Sequence, residues 1–100
     1  MDDVISALRD NDGFVIAGHR DPDGDSLGSA MALALGLEQM CKRAEVVSAD
    51  HISAGYRELP GMDGIRRLEG LPDGYPVAVL VECSSEERTG LGGFTDRLVI

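Results

Sequence analysis

Two short stretches hold the residue types that could do chemistry. The first reads His19-Arg20-Asp21-Pro22-Asp23-Gly24-Asp25-Ser26, one imidazole and three carboxylates within seven residues. Clustered carboxylates repel one another unless cations neutralise them. A histidine among oxygen donors suits Mn, Fe, Zn and similar divalent metals, whereas oxygen-only sites suit Mg or Ca. Gly24 allows a tight bend between Asp23 and Asp25, so that both side chains can face one site. The D-x-D-x-D spacing of Asp21, Asp23 and Asp25 also invites comparison with an EF-hand loop. That comparison fails, because Ser26 stands where the loop needs Gly and Ala32 where it needs a bidentate Glu. The plain alternative is an acidic surface loop in which Asp25 or Ser26 caps the next helix. The second stretch, Glu82-Cys83-Ser84-Ser85-Glu86-Glu87-Arg88, offers another carboxylate, a thiol and a guanidinium.

The elements that must position these residues can be read from hydrophobic periodicity. Val4, Ile5 and Leu8 follow helical spacing, which predicts a short helix over 3–10, ended by Asn11-Asp12-Gly13. Phe14–Gly18 is an apolar run after a glycine and reads as a buried parallel strand. Residues 19–25 form a polar loop, and a helix is expected from about Ser26 to Lys42. Its first turns are small or apolar throughout, which predicts cover on several sides. A strand is expected over 45–49, a loop with a helical turn over 50–59, and a short strand or helix over 65–68. Pro76–Val81 is β-branched and apolar, a strong strand signal. Residues 84–93 form a polar, glycine-rich connection, and Leu98-Val99-Ile100 starts another strand. Strands alternating with a helix imply βαβ units, an α/β fold with a parallel sheet. In such sheets ligands sit beyond the C-terminal ends of the strands. Both chemical stretches follow buried strands and are therefore expected at one edge of the sheet.

Composition narrows the possibilities. One hundred residues suffice for one small domain, and 43% of them are hydrophobic. Nine basic against 18 acidic residues leave a net charge of −9, which argues against a broad basic face for nucleic acid backbone. Bound cations would still allow an anionic substrate. Cys41 and Cys83 make no disulfide framework and are read as reduced and buried, in keeping with a cytoplasmic protein. The acidic start Met1-Asp2-Asp3 does not read as a signal peptide. The longest largely apolar run, Leu27 to Leu37, is too short for a membrane span. Met31, Met40 and Met62 read as core gap-fillers. His51 reads as a solvent-facing loop residue. Arg20 is divided between substrate contact and solvation. Arg88 is expected to order its loop by pairing with Glu86, Glu87 or a carbonyl, with a phosphate contact as the alternative. Cys83 reads as a structural thiol, since no base is placed for it.

The run Gly18-His19-Arg20-Asp21-Pro22-Asp23-Gly24-Asp25-Ser26-Leu27-Gly28-Ser29-Ala30 resembles the first motif of DHH-family phosphoesterases. That motif is a strand, then H-x-x-x-D-x-D, then a helix of small residues. The fuller P-D-G-D-S-L-G-S is most similar to the RecJ-like subgroup. Within it the nearest likeness is to bifunctional oligoribonucleases that also act on 3′-phosphoadenosine-5′-phosphate (pAp). Leu80-Val81-Glu82-Cys83-Ser84-Ser85-Glu86-Glu87-Arg88-Thr89-Gly90 resembles the family's second motif, in which an acidic residue ends a buried strand and Arg-Thr-Gly follows. The family usually has Asp at the position of Glu82, and the longer Glu bears on metal affinity and rate.

The resemblance implies a metal set. His19 and Asp23 would bind one ion, Asp25 the other, and Glu82 both. Two ions roughly 3.5–4 Å apart, Mn2+ by expectation, would activate a water and stabilise phosphoryl charge. The implied substrates are short oligoribonucleotides or pAp, with no membrane partner and a homodimer as a possible assembly. Single-strand exonuclease and cyclic-dinucleotide phosphodiesterase activities are rivals within the family. The Asp-His-His motif would follow the strand begun at Leu98, so the catalytic residues of that motif lie beyond Ile100. The chain therefore reads as the N-terminal part of a DHH catalytic domain, a single unit over 1–100 with the C-terminal substrate domain absent. The alternative is a catalytically incomplete metal-binding or interaction module.

Overall fold

The computed structural model describes residues 2–20, 24–50, 52, 54–58, 64–83, 85–95 and 97–100. Helix α1 spans Asp2–Asp10 and ends where Asn11 Nδ2 donates to the Ala7 carbonyl at 2.9 Å. Lys42 Nζ donates to the carbonyls of Arg9, at 2.8 Å, and Asn11. A cation there satisfies orphan carbonyls and complements the helix dipole. Strand β1, Gly13–Gly18, follows at once. Helix α2 runs Gly24–Gln39, strand β2 Arg43–Ser48 and the short helix α3 Ala54–Arg57. Strands β3 (Arg66–Arg67), β4 (Val77–Val81) and β5 (Leu98–Val99) complete the sheet, with a 3-10 turn over Glu86–Thr89.

The expected α/β fold with a parallel sheet is present. All strand pairs are parallel, in the order β3-β2-β1-β4-β5. The chain steps outward from β1 to β2 and β3, then returns to place β4 on the other side of β1. β1 is thus central and covered on both faces, so it reads apolar at every position. Phe14 and Ile16 face the α2 side with Leu27, Ala30, Ala34, Leu37, Val46, Val77 and Val79. Val15 and Ala17 face the other side with Val47, Leu71, Ala78 and Leu91. That second face is covered by irregular chain. Arg97 holds it by donating to the carbonyls of Pro72 at 2.8 Å and Tyr75 at 3.1 Å.

Several sequence expectations are corrected. α2 is buried on one side only: Gly28, Ser29, Ala32 and Gly36 are exposed, and Leu35 is 51% exposed. Among the described residues it packs chiefly on β1, β2 and β4, and Ala and Gly carry too little surface to require a second layer. α2 starts at Gly24, which puts Asp25 in the first helical turn and not in the loop. It stops at Gln39 because the chain closes a Schellman turn. The Lys42 N–H donates to Leu37 O at 3.0 Å and the Cys41 N–H to Glu38 O at 2.9 Å. Cys41, read as buried, is exposed and left-handed, φ 62°, at the position that glycine usually fills. Met40 beside it is 55% exposed and is no core residue. Met62 and His51 lie outside the described residues.

Candidate functional site

The chain's progression across the sheet reverses between β1 and β4. The connection after β1 passes over the α2 face, while that after β4 passes over the opposite face. Connections that part in this way leave a crevice beyond the strand ends, where ligands bind in open α/β sheets. The register pairs Gly18 with Val81, so His19 and Glu82 are the next residues out of two adjacent strands. Asp25 enters the same edge from the first turn of α2. The two stretches thus meet at one edge, as the strand pattern predicts. Asp23, Asp21 and the side chain of Asp25 lie outside the described residues. Among the described residues no group of three or more metal-ligating side chains forms.

Gly18 allows α2 to start this close to the strand. A Cβ there would lie 2.6 Å from Ser26 Oγ and 3.1 Å from the Val81 carbonyl oxygen. Any side chain would therefore force Ser26 at the start of α2 or the strand-end backbone to shift. His19 is exposed, and its Nδ1–H donates to the Arg20 carbonyl at 2.6 Å. That bond selects the tautomer whose Nε2 carries the lone pair, the usual arrangement of a ligating histidine. Glu82 is exposed with φ 51°. A left-handed conformation costs a residue with a Cβ about 1–2 kcal/mol, and Asp or Asn bears it better than Glu. Such strain is a recurrent feature of functional strand ends.

The loops around this edge are tied together. The Arg20 N–H donates to the Arg88 carbonyl at 2.8 Å, joining the β1 loop to the turn after β4. Arg20 Nη2 lies 3.5 Å from Asp50 Oδ1 after β2. Arg20, divided on sequence between substrate and solvent, therefore has protein partners. Arg88 reverses its expectation. Its side chain is exposed and makes none of the ion pairs found among the described residues, while its backbone does the ordering. Buried Thr89 completes the turn, its Oγ1 donating to Glu86 O at 2.6 Å and accepting from the Leu91 N–H. Cys83 is half-buried and its thiol donates to Ser85 O at 3.1 Å, a structural contact.

Two clefts lie elsewhere. One of about 540 Å3, lined by Asp73, Tyr75, Pro76, Thr95 and Arg97, sits before β4 and β5, at the end opposite His19 and Glu82. Another of about 310 Å3 lies between α2 and β2. The strand-end site is the better candidate, because it is where the residues with ligating chemistry converge. Sequence reading missed one polar cluster. The Glu45 carboxylate on β2 accepts from Arg66 Nη2 at 3.0 Å and from the Tyr75 hydroxyl at 2.9 Å. Burial pushes Glu45 upward, but the hydrogen bonds from Arg66 and Tyr75 outweigh it and hold the carboxyl below its ordinary value. Burial and the bond to Glu45 push the Tyr75 hydroxyl up. These residues are 21 and 30 positions from Glu45, so no local spacing could have announced them. No helix among the described residues is long and apolar enough to cross a membrane. The chain matches no known protein-family model.

Proposed function

We propose that this chain is the metal-binding N-terminal part of a DHH-family phosphoesterase acting on short oligoribonucleotides or pAp. The observation that supports it most is the register of Gly18 with Val81, which brings His19 and Glu82 together at the sheet's switch point. His19 would offer Nε2, while Asp23, Asp25 and Glu82 would offer carboxylate oxygens. Two divalent ions, when bound there, would supply a water activated near neutral pH and positive charge for the phosphoryl group. The chain's own contribution is placement. Gly18 sets α2 against the strand end, and the Arg20 carbonyl orients the His19 ring. The α2 N-terminus directs its positive dipole end to the same edge, which favours an anionic substrate. Arg88, exposed beside the site, is the cation suited to a second phosphate contact.

A second reading is a metal-binding module without turnover. It is favoured by Glu82, which stands where the resembled family usually carries the Asp that bridges both ions. One experiment separates the two. The full-length parent protein is incubated with pAp and with short oligoribonucleotides, in Mn2+ and in chelator, beside its Asp25→Ala variant. Mn2+-dependent hydrolysis that Asp25→Ala abolishes supports the phosphoesterase. Mn2+ binding without hydrolysis favours the module. Near-normal turnover in Asp25→Ala overturns the two-metal mechanism.

A further inference from the structure

Arg20 occupies the position between the two strand-end stretches and touches three separate connections. Its N–H is bound by the Arg88 carbonyl of the β4 connection, and its guanidinium faces Asp50 after β2. Its own carbonyl receives the His19 Nδ1–H. The aliphatic stem has a seat as well. Gly90 is left-handed, φ 74°, and a Cβ there would meet Arg20 Cδ at 2.9 Å, Arg20 Cγ at 3.0 Å and Ala49 Cβ at 3.0 Å. Gly90 therefore leaves open the space that the stem and Ala49 border. The ion pair is more than half exposed on the Arg20 side, so its charge alone is a weak tie. The packed stem and the backbone bond hold the loop more firmly, because apolar arginine carbons pack like any hydrocarbon.

We infer that Arg20 is a positioning residue: it braces the connections after β1, β2 and β4 against one another, and so holds in place the carbonyl that orients the His19 imidazole. The role rests on the proposed reading of His19 as a metal ligand. It assigns Arg20 to the protein's framework and leaves substrate phosphate to other groups. Gly90 is its counterpart, the residue whose missing side chain makes the seat.

The test uses the full chain and Mn2+ alone as probe, with affinity read from free Mn2+ by electron paramagnetic resonance. Outer-shell changes typically cost about 10- to 100-fold in metal affinity. Arg20→Ala, which loses stem and charge, is expected to weaken Mn2+ binding about tenfold, with near-native thermal unfolding. Arg20→Met keeps the stem and should recover most of that loss, a rescue that lost charge alone would not allow. Gly90→Ala should weaken binding too, and by less when introduced into Arg20→Ala, where the seat is vacant. Amide exchange at residue 20 should quicken in Arg20→Ala and Gly90→Ala, whether or not metal is present. Wild-type affinity in Arg20→Ala, or strict additivity of the two substitutions, overturns the positioning role alone. A wild-type chain that binds no Mn2+ removes the metal reading of His19, and the positioning role falls with it.

Discussion

Gly18→Ala isolates the contact that builds the candidate site. The added methyl would stand 2.6 Å from Ser26 Oγ and 3.1 Å from the Val81 carbonyl oxygen. Among the described residues the glycines with positive φ are Gly74, Gly90 and Gly93, so at Gly18 the cost of a side chain is steric. Ser26 is 6% exposed and the Val81 oxygen belongs to the central sheet, so neither yields freely. Overpacking of this kind costs about 1–3 kcal/mol. For a domain of this size each kcal/mol lowers Tm by ~4–8 °C, which puts the expected fall at ~4–24 °C. The assay is thermal and urea unfolding of Gly18→Ala, Ser26→Ala and the double variant, with Mn2+ affinity measured alongside. The double variant should be more stable than the sum of the single losses predicts, by about 0.5 kcal/mol or more, because removing Oγ relieves the closest contact. Mn2+ affinity should fall in Gly18→Ala even where folding is complete, since α2 carries Asp25. A Gly18→Ala protein within about 0.5 kcal/mol of wild type, a size ordinary for surface changes, would refute the claim that α2 is held against β4 by this close approach.

Cys41→Gly should stabilise the fold by about 0.5–1 kcal/mol in urea unfolding, because glycine takes the left-handed Schellman position without steric cost. Unchanged or lower stability would mean that the Cys41 side chain makes up the difference. Glu82→Asp should leave Mn2+ affinity equal or higher, since Asp bears the φ of 51° better; a several-fold loss would show a site built around the longer side chain. For Glu45 the folded carboxyl lies below its ordinary 4.5, so its stabilising contribution is present above pH 4.5 and is lost as pH falls through the lower folded value. Tyr75 is raised above 10.0, so its contribution is present below pH 10 and is lost as pH rises toward the folded value. Urea midpoints against pH should show the acid loss in wild type and a flatter acid limb in Glu45→Gln. Identical acid limbs would remove Glu45 from the account.

Much of the fold was legible because its signals are local. The apolar runs of β1 and β4 and the turn residues around them follow from burial on both faces of a parallel sheet. The loaded stretches at His19 and Glu82 were visible for the same reason, since each stands directly after such a run. What the order of residues could not state was which strands are neighbours. His19 and Glu82 lie 63 positions apart in the chain, and only the pairing of β1 with β4 makes them adjacent. Arg20 as a brace, Gly90 as its seat and the Glu45 cluster likewise exist only once separate connections converge. The exposed side of α2 was misread because a run of small apolar residues looks alike whether one layer covers it or two. Cys41 was misread because an apolar neighbourhood in sequence says nothing of a left-handed turn. Residue type and short spacing therefore determined the chemistry on offer and the elements that carry it. Tertiary structure decided which of those residues meet, because strand order depends on packing summed over the whole sheet and not on any local segment.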